Sequence, residues 1–450
     1  MNLKRIVSMA MIPVLMIVFL LVVSCAPGDK DKTDDSVVRV VKATKDLAEG
    51  TIISVNDIDI VEVENADLPE GYIKRSSDAV GRKLLEDLNK DDIITSSQLS
   101  NKVYGTDDDT DITVSEARAR GYVVVTDYIK NPSSLDLSGD IQKVIDNNPN
   151  STIYFPDGVY TILKPIKTSS YRNYSVALHL SANAVIKASD YWTANGSYMI
   201  QIGVKDKEFT IDYPGTNYYV YGGTIDCNGS ANGVEISGGR EISLRNVTIK
   251  NAYYGLHIAY NEEYGSNDSD TEYLNIEGNG KVGSIGVLVD GLDNTLTNIR
   301  VSGFETGACL TRPGNLMHNI HVTNILSDNI EYDKTKGFLD TSGGNWYDGC
   351  RSDNYSTAFY TVGSSLSIYN SCTAFWSENC GKQYAFETDG NLNATITDPR
   401  AVFVAGSDNA LLIAPGNGGN GVIKNPIFNT GLTNNNTYKR YLVGHEIYSN

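Results

Sequence analysis

The chain has 450 residues, 55 Asp and Glu against 37 Lys and Arg, and a formal net charge of −18 at neutral pH. That length exceeds one compact domain, and the acidic balance excludes a nucleic-acid partner, which calls for a basic surface. With 41 Gly, 28 Tyr and only 12 Pro, the composition is that of a turn-rich, all-β protein.

The chain opens on a basic start (Lys4, Arg5) and the apolar run "IPVLMIVFLLVV" (12–23), short for a membrane span. The run ends in "LVVSC" at Cys25, which resembles a bacterial lipobox, and "APGDKDKTDDS" follows as a polar tether. The expectation is a signal peptide over 1–24, lipidation at Cys25, a tether over 25–36, and attachment through the lipid to the outward face of the cell membrane. A plain signal peptide or anchor helix is the alternative.

Residues 37–100 begin with the period-2 run "VVRVVKA", turn at "DLAEG", and continue through "LPEGYI", "AVGRKLL" and "KDDIITSSQLS". This order, carried by Leu47, Gly50, Asp57, Pro69, Gly71, Gly81, Arg82 and Ile93, resembles the SAF domain, a small β-clip fold. The resemblance implies a binding or positioning module. Residues 101–121, with four Asp within five positions, are expected to be an acidic linker.

From 122 to 450 the expectation is a second unit. "SGDIQKVIDNN" reads as an amphipathic helix with Ile141, Val144 and Ile145 on one face, and "STIYFPDGVYTI" as two strands around a Pro-Asp-Gly turn. The phrase "SLRNVTIKN" (243–251) returns as "TLTNIRVSG" (295–303) and "LMHNIHVTN" (316–324). Its Asn heads a series: Asn246, Asn275, Asn298, Asn319, Asp348, Asn370, Asp398 and Asn425, at intervals of 21 to 29 residues. Repeats of that period mark a solenoid. The series is read as a stacked asparagine ladder inside it, where each amide satisfies the next. The helix, the strand pair and "GGTIDCNG" (222–229) resemble the pectate-lyase superfamily of right-handed parallel β-helices. The fold expected is therefore all-β, with a right-handed parallel β-helix behind a small β-clip SAF domain. The superfamily's polygalacturonase and calcium-lyase signatures are absent, so the resemblance carries the fold and not an active site.

Candidate chemistry sits in a second column, "GLHIAY", "GVLVDG", "GACLTRPG", "GFLDTSG", "AFYTVGS", "YAFETDG". One position reads Ile258, Val289, Leu310, Asp340, Thr361, Glu387. Asp340 and Glu387, two rungs and roughly 9.5 Å apart, suit an acid–base pair of an inverting glycosidase, with Asp389 nearby; a hydrogen-bonded polar stack is the competing reading. Arg300 and His321 fall on adjacent rungs, outward, and either grip a uronate carboxylate or form solvated surface. Arg300 would be the base of a lyase. Trp346, Tyr347, Tyr360 and Trp376 are candidates for stacking on sugar rings, or ordinary coil packing. Asp348 and Asp398 occupy ladder positions and are read as structural. Cys350 and Cys372 share a position on adjacent rungs, as a disulfide or as two buried thiols. No Cys or His spacing suggests a metal site. No cofactor is expected, except calcium if the chemistry is elimination. The partner expected is an extended polysaccharide, cleaved by a hydrolase or lyase; a non-catalytic glycan- or wall-binding surface protein is the alternative. The sequence leaves oligomeric state open.

Overall fold

The computed structural model describes residues 37–53, 57–64, 68–74, 79, 82–103, 112–168, 175–194, 196–203, 218–260, 265–325, 330–362, 366–378, 381–389, 392–404, 410–414, 421–428 and 446–448. Cys25 and Cys380 lie outside them. The chain divides into two compact units between residues 107 and 108.

In the first unit, Val37–Ala43 pairs antiparallel with Ile58–Glu64, and Arg82–Leu84 with Leu99–Val103. Val41, Leu47, Ile53, Leu84, Leu88 and Ile94 close its core. Gly50 and Gly71, at φ +87° and +76°, make turns that a side chain would strain.

The second unit begins inside the stretch expected to be linker. Thr113 caps the helix Val114–Ala119 by accepting from the Glu116 N–H, and Glu116 answers by accepting from the Thr113 N–H. Ala117 packs with Ile112, Val124 and Tyr154. The helix Ser138–Asn147 follows, with Ile141, Val144 and Ile145 buried as its period requires. Gln142 fastens it to the first coil by exchanging hydrogen bonds with the Lys167 N–H and carbonyl.

Three parallel sheets then wind along one axis: face A with 13 strands, faces B and C with 11 each, among the described residues. Every coil visits A, B and C in turn, and each strand pairs with its counterpart one coil on, as in Thr295–Thr297, Leu316–His318 and Trp346–Asp348 of face A. This is a parallel β-helix, and its first full coil opens at Ser151, three coils before the first Asn of the repeated phrase. Among the described residues, no helix is long and apolar enough to cross a membrane.

The asparagine phrase marks the bend between faces A and B. The left-handed residues there are Asn246, Tyr273, Asn298, Asn319, Gly349, Ser371, Asp398 and Asn425, each with φ between 47° and 61°. Asn275, Asp348 and Asn370 stand one or two places off this column. The bend faces solvent, and Asn319 Nδ2 donates to Asn298 Oδ1 at 2.6 Å there. The buried ladder is a different column, just before the face A strands. Asn294 Nδ2 donates to Asn315 Oδ1 (3.0 Å) and Asn315 Nδ2 to Asn345 Oδ1 (3.3 Å); these carbonyls also accept the Asn294 and Asn315 N–H groups at 3.0 Å. Ser367 continues the column, its Oγ accepting from the Asn345 N–H at 3.1 Å.

Replacing Asn315 by Leu strands the amide and N–H of Asn294 in the interior. The expected loss is about 2–4 kcal/mol, read as a lower urea midpoint for the β-helix transition. An unchanged midpoint would show that the column is not holding the coils.

Candidate functional site

The strand order settles which residues share a wall. Across face C the register runs Gln201, Glu235, His257, Leu288, Cys309, Leu339, Tyr360, Glu387 on the outside. The inward neighbours are Ile258, Val289, Leu310, Asp340, Thr361 and Thr388. Glu387 therefore does not continue the Asp340 column. The sequence alignment of "YAFETDG" is slipped by one residue, and in a strand one residue changes the face. The signal that fixes it is the small residue opening each phrase. A Cβ on Gly286 would lie 2.2 Å from Val301 Cγ1, and one on Gly307 2.6 Å from the Gly337 carbonyl. Aligning Gly286, Gly307, Gly337, Ala358 and Ala385 restores the register.

The expected carboxylate pair does not form. Asp340 is fully buried: Oδ1 accepts from the Gly343 N–H (2.8 Å) and Asn345 Nδ2 (3.2 Å), Oδ2 from Ser367 Oγ (2.6 Å). It anchors the internal ladder. Tyr347 and Trp376 also point inward. Tyr347 stacks on Tyr369 at 4.6 Å, and Trp376 stacks on Phe403 at 4.8 Å while donating Nε1–H to the Tyr355 carbonyl. Burial, with the Asp340 charge adding to it, raises the Tyr347 phenol far above its ordinary range. None of the three can meet a glycan on the outer wall. Cys350 and Cys372 are free and buried, their thiols donating to the Met317 and Tyr347 carbonyls at 3.3 and 3.4 Å.

What the outer wall of face C does carry is an imidazole between two carboxylates. His257 Nε2 meets Asp290 Oδ2 at 2.8 Å, and Nδ1 lies 3.6 Å from Glu235 Oε1. Glu235 is almost wholly buried and accepts from Gln201 Nε2 (3.2 Å) and Ser237 Oγ (2.8 Å). Asp290 follows the strand Ile285–Val289, where its N–H donates to the Ile258 carbonyl, and its Oδ1 accepts from Thr311 Oγ1. Burial pulls the His257 pKa down, but its contacts with Asp290 and Glu235 outweigh that and hold it above the ordinary histidine value. Burial likewise pushes Asp290 up, and the hydrogen bonds from His257 and Thr311 overcome it, leaving Asp290 below the ordinary carboxylate value. Both shifts favour the charged forms, imidazolium and carboxylate. Tyr198 flanks the ring at 5.5 Å, and the exposed Arg312 guanidinium lies over Tyr260 at 5.3 Å.

Five rungs along the same wall, about 24 Å away, lies a second polar group. Glu387 accepts from Lys382 Nζ at 2.8 Å and from Thr357 Oγ1. Lys336 Nζ sits 5.1 Å over the Tyr360 ring, and burial lowers its pKa. The charge of the exposed Asp389 acts on Tyr360, whose phenol is raised first by burial. Between the two groups the wall is formed by Leu288, Cys309 and Leu339.

Arg300 and His321 do stack outward on adjacent rungs of face B, on a different wall from His257. Trp346 is half exposed on face A. Sequence reading passed over His257, Glu235 and Asp290, because a lone His in "GLHI" looks like any outward residue until the register sets Glu235 beneath it. Among the described residues, no group of three or more His, Cys, Asp or Glu is arranged to hold a metal ion.

Residues 38–100 match the SAF domain family, so the first unit is a SAF domain. Solved structures similar to the chain are parallel β-helix proteins. The tailspike protein of E. coli bacteriophage HK620, solved with a pentasaccharide, is 12% identical at TM-score 0.51, over 74% of this chain and 64% of the tailspike's. The surface adhesin PfbA of Streptococcus pneumoniae is 16% identical at TM-score 0.39, over 68% of this chain and 89% of the adhesin. Endo-xylogalacturonan hydrolase from Aspergillus tubingensis is 14% identical at TM-score 0.46, over 71% and 93%. At these identities the likeness is one of fold. A comparison with curated proteins finds no match.

Proposed function

We propose that the β-helix is a polysaccharide-cleaving enzyme that lays its substrate along the outer wall of face C and uses His257 as general acid. The observation that carries this reading is the partly exposed imidazole held between Asp290 and Glu235 on a wall whose packing does not call for charge. A solenoid wall is long and straight, which suits a polymer. In hydrolysis His257 gives its proton to the departing glycosidic oxygen as the C–O bond breaks. Asp290 stays ionised against the ring and steadies the imidazolium, and the water that adds at the anomeric carbon gives its proton back to the emptied imidazole. Glu235, locked by Gln201 and Ser237, keeps the imidazole charged and oriented. Lys336, Tyr360, Glu387 and Asp389 then lie where a long chain leaves the centre, as binding positions. Similar solved proteins include a glucanase, a xylogalacturonan hydrolase and mannuronan epimerases, and a glycan-active reading accords with them. The proton transfers are assigned to side chains, and the reading calls on no cofactor.

Incubation of the protein with plant, algal and bacterial polysaccharides tests the class. New reducing ends without ultraviolet absorbance mark hydrolysis, and absorbance from an unsaturated uronate marks elimination. Binding without cleavage across the panel would favour the non-catalytic surface protein, a reading supported by the solvent-facing Trp346.

The placement proposed is on the outward face of the cell membrane through a lipid on Cys25. Cys25→Ala should leave the precursor unprocessed or shift the protein out of the membrane fraction. Unaltered processing and retention would overturn the assignment.

A further inference from the structure

The corner where face A bends into face B carries groups that the centre on face C does not use. Leu316, Trp346 and Ile368 stand on consecutive rungs, at 36%, 45% and 37% exposure. Their inward neighbours Met317, Tyr347 and Tyr369 already fill the core, so this apolar strip is not core that failed to bury. Two residues on, His318 Nδ1 meets Asp348 Oδ2 at 2.9 Å, and Asn370 Nδ2 donates to Asp348 Oδ1 at 2.6 Å. Across the bend, on the same coils, His321 Nε2 meets Asp353 Oδ2 at 2.9 Å. Two imidazole–carboxylate pairs thus stand side by side, each spanning one rung.

The third component is positive charge. Arg300, His321 and Arg351 follow one another on consecutive rungs of face B. Asp353 holds Arg351 through Nε (2.7 Å) and Nη2 (3.0 Å). Arg300 bonds only the carbonyls of Ile299 and Asn319, at 3.4 and 3.2 Å, and among the described residues no carboxylate lies within ion-pair distance of it. On a chain of net charge −18, this leaves a solvent-facing guanidinium with no carboxylate partner among the described residues, open to an anionic ligand.

We infer that this corner is a second saccharide site, separate from the His257 centre, and that it takes an acidic glycan. The indole of Trp346 offers a flat apolar surface to the C–H face of a sugar ring. His318, Asp348 and Asn370 present donors and acceptors to its hydroxyls. Arg300 supplies the fork that a uronate carboxylate matches. The rungs repeat at about 4.8 Å, so successive sugars of a polymer meet successive rungs along the corner. In a coil of three faces the A–B corner lies away from face C, so a chain held here is not in the cleavage wall. The site tethers the protein to its polymer. The inference shares the glycan reading with the proposed function but not its catalytic centre.

The test is calorimetric binding of the full chain to polygalacturonate and alginate, with xyloglucan as the neutral control, at low and high salt. Trp346→Ala should weaken binding to the acidic polymer about tenfold. Arg300→Gln should weaken it by a similar factor and remove most of its salt dependence, leaving any binding to the neutral polymer unchanged. Both side chains face solvent, so the thermal midpoint serves as the folding control. If a midpoint falls, Trp346→Tyr and Arg300→Lys replace the first variants, with partial retention of binding expected. Full affinity in the Trp346→Ala/Arg300→Gln double variant overturns the site, as does the absence of wild-type binding to either acidic polymer. A protein that binds through Trp346 but cleaves nothing would refute the catalytic reading and leave this one standing.

Discussion

His257→Gln is expected to lower the rate of glycan cleavage by about 10²–10⁴-fold, the usual weight of a positioned general acid, with the fold and polymer binding intact. Glutamine keeps a donor beside Asp290 but cannot deliver a proton. Asp290→Asn should act in the same direction, because it removes the charge that holds the imidazole protonated. The pH profile adds a check. The raised His257 pKa keeps the acid form present above the ordinary histidine value, so the alkaline limb of the profile should be displaced upward from that value in the wild type. The lowered Asp290 pKa displaces the acid limb downward from the ordinary carboxylate value. Stability follows the same signs. The His257 contribution is fully present below its unfolded pKa, roughly 6.5, and is lost as pH rises through the raised folded value. The Asp290 contribution is present above its unfolded pKa, roughly 3.9, and is lost as pH falls through the lowered one. Cleavage unchanged in His257→Gln would remove the centre from face C.

Asp340→Ala is expected to destabilise the β-helix by about 3–5 kcal/mol, the cost of breaking a buried polar network from one side. The loss takes one buried acceptor away from the Gly343 N–H, Asn345 Nδ2 and Ser367 Oγ together. Asp340→Asn should cost less, since its carbonyl can still accept. Calorimetric unfolding of the full chain reads both, and the SAF domain's own transition is an internal reference. The result separates two roles that look alike in a rate assay. A variant that loses activity in step with its thermal midpoint has lost its coils, whereas loss of activity at an unchanged midpoint would restore Asp340 as a catalytic group.

Much of the molecule is written locally, and the sequence by itself determines that part. Period-2 runs and the Gly50 and Gly71 turns specify the SAF unit. The spacing of Ile141, Val144 and Ile145 specifies the capping helix, because a helical face is set by neighbours within two turns. The return of one phrase every 21 to 29 residues specifies a solenoid, since a single coil cannot bury its own apolar face and must repeat. Stacking of Arg300 on His321 follows from the same phrase and holds in the structure.

Only the tertiary structure decides the register between coils, and the chemistry depends on it. Loops of unequal length separate the strands, so counting along the chain slips by a residue, and each slip exchanges wall for core. Glu387 moved outward in this way while Asp340 went to the interior, and Tyr347 and Trp376 were lost as sugar platforms. The asparagines of the phrase proved to be left-handed bends in solvent, with the buried ladder running instead through Asn294, Asn315 and Asn345. The His257 centre is the extreme case. Glu235, His257 and Asp290 are more than twenty residues apart along the chain and belong to successive coils. Parallel pairing alone brings them within contact, and those contacts, against the pull of burial, favour the charged forms of His257 and Asp290.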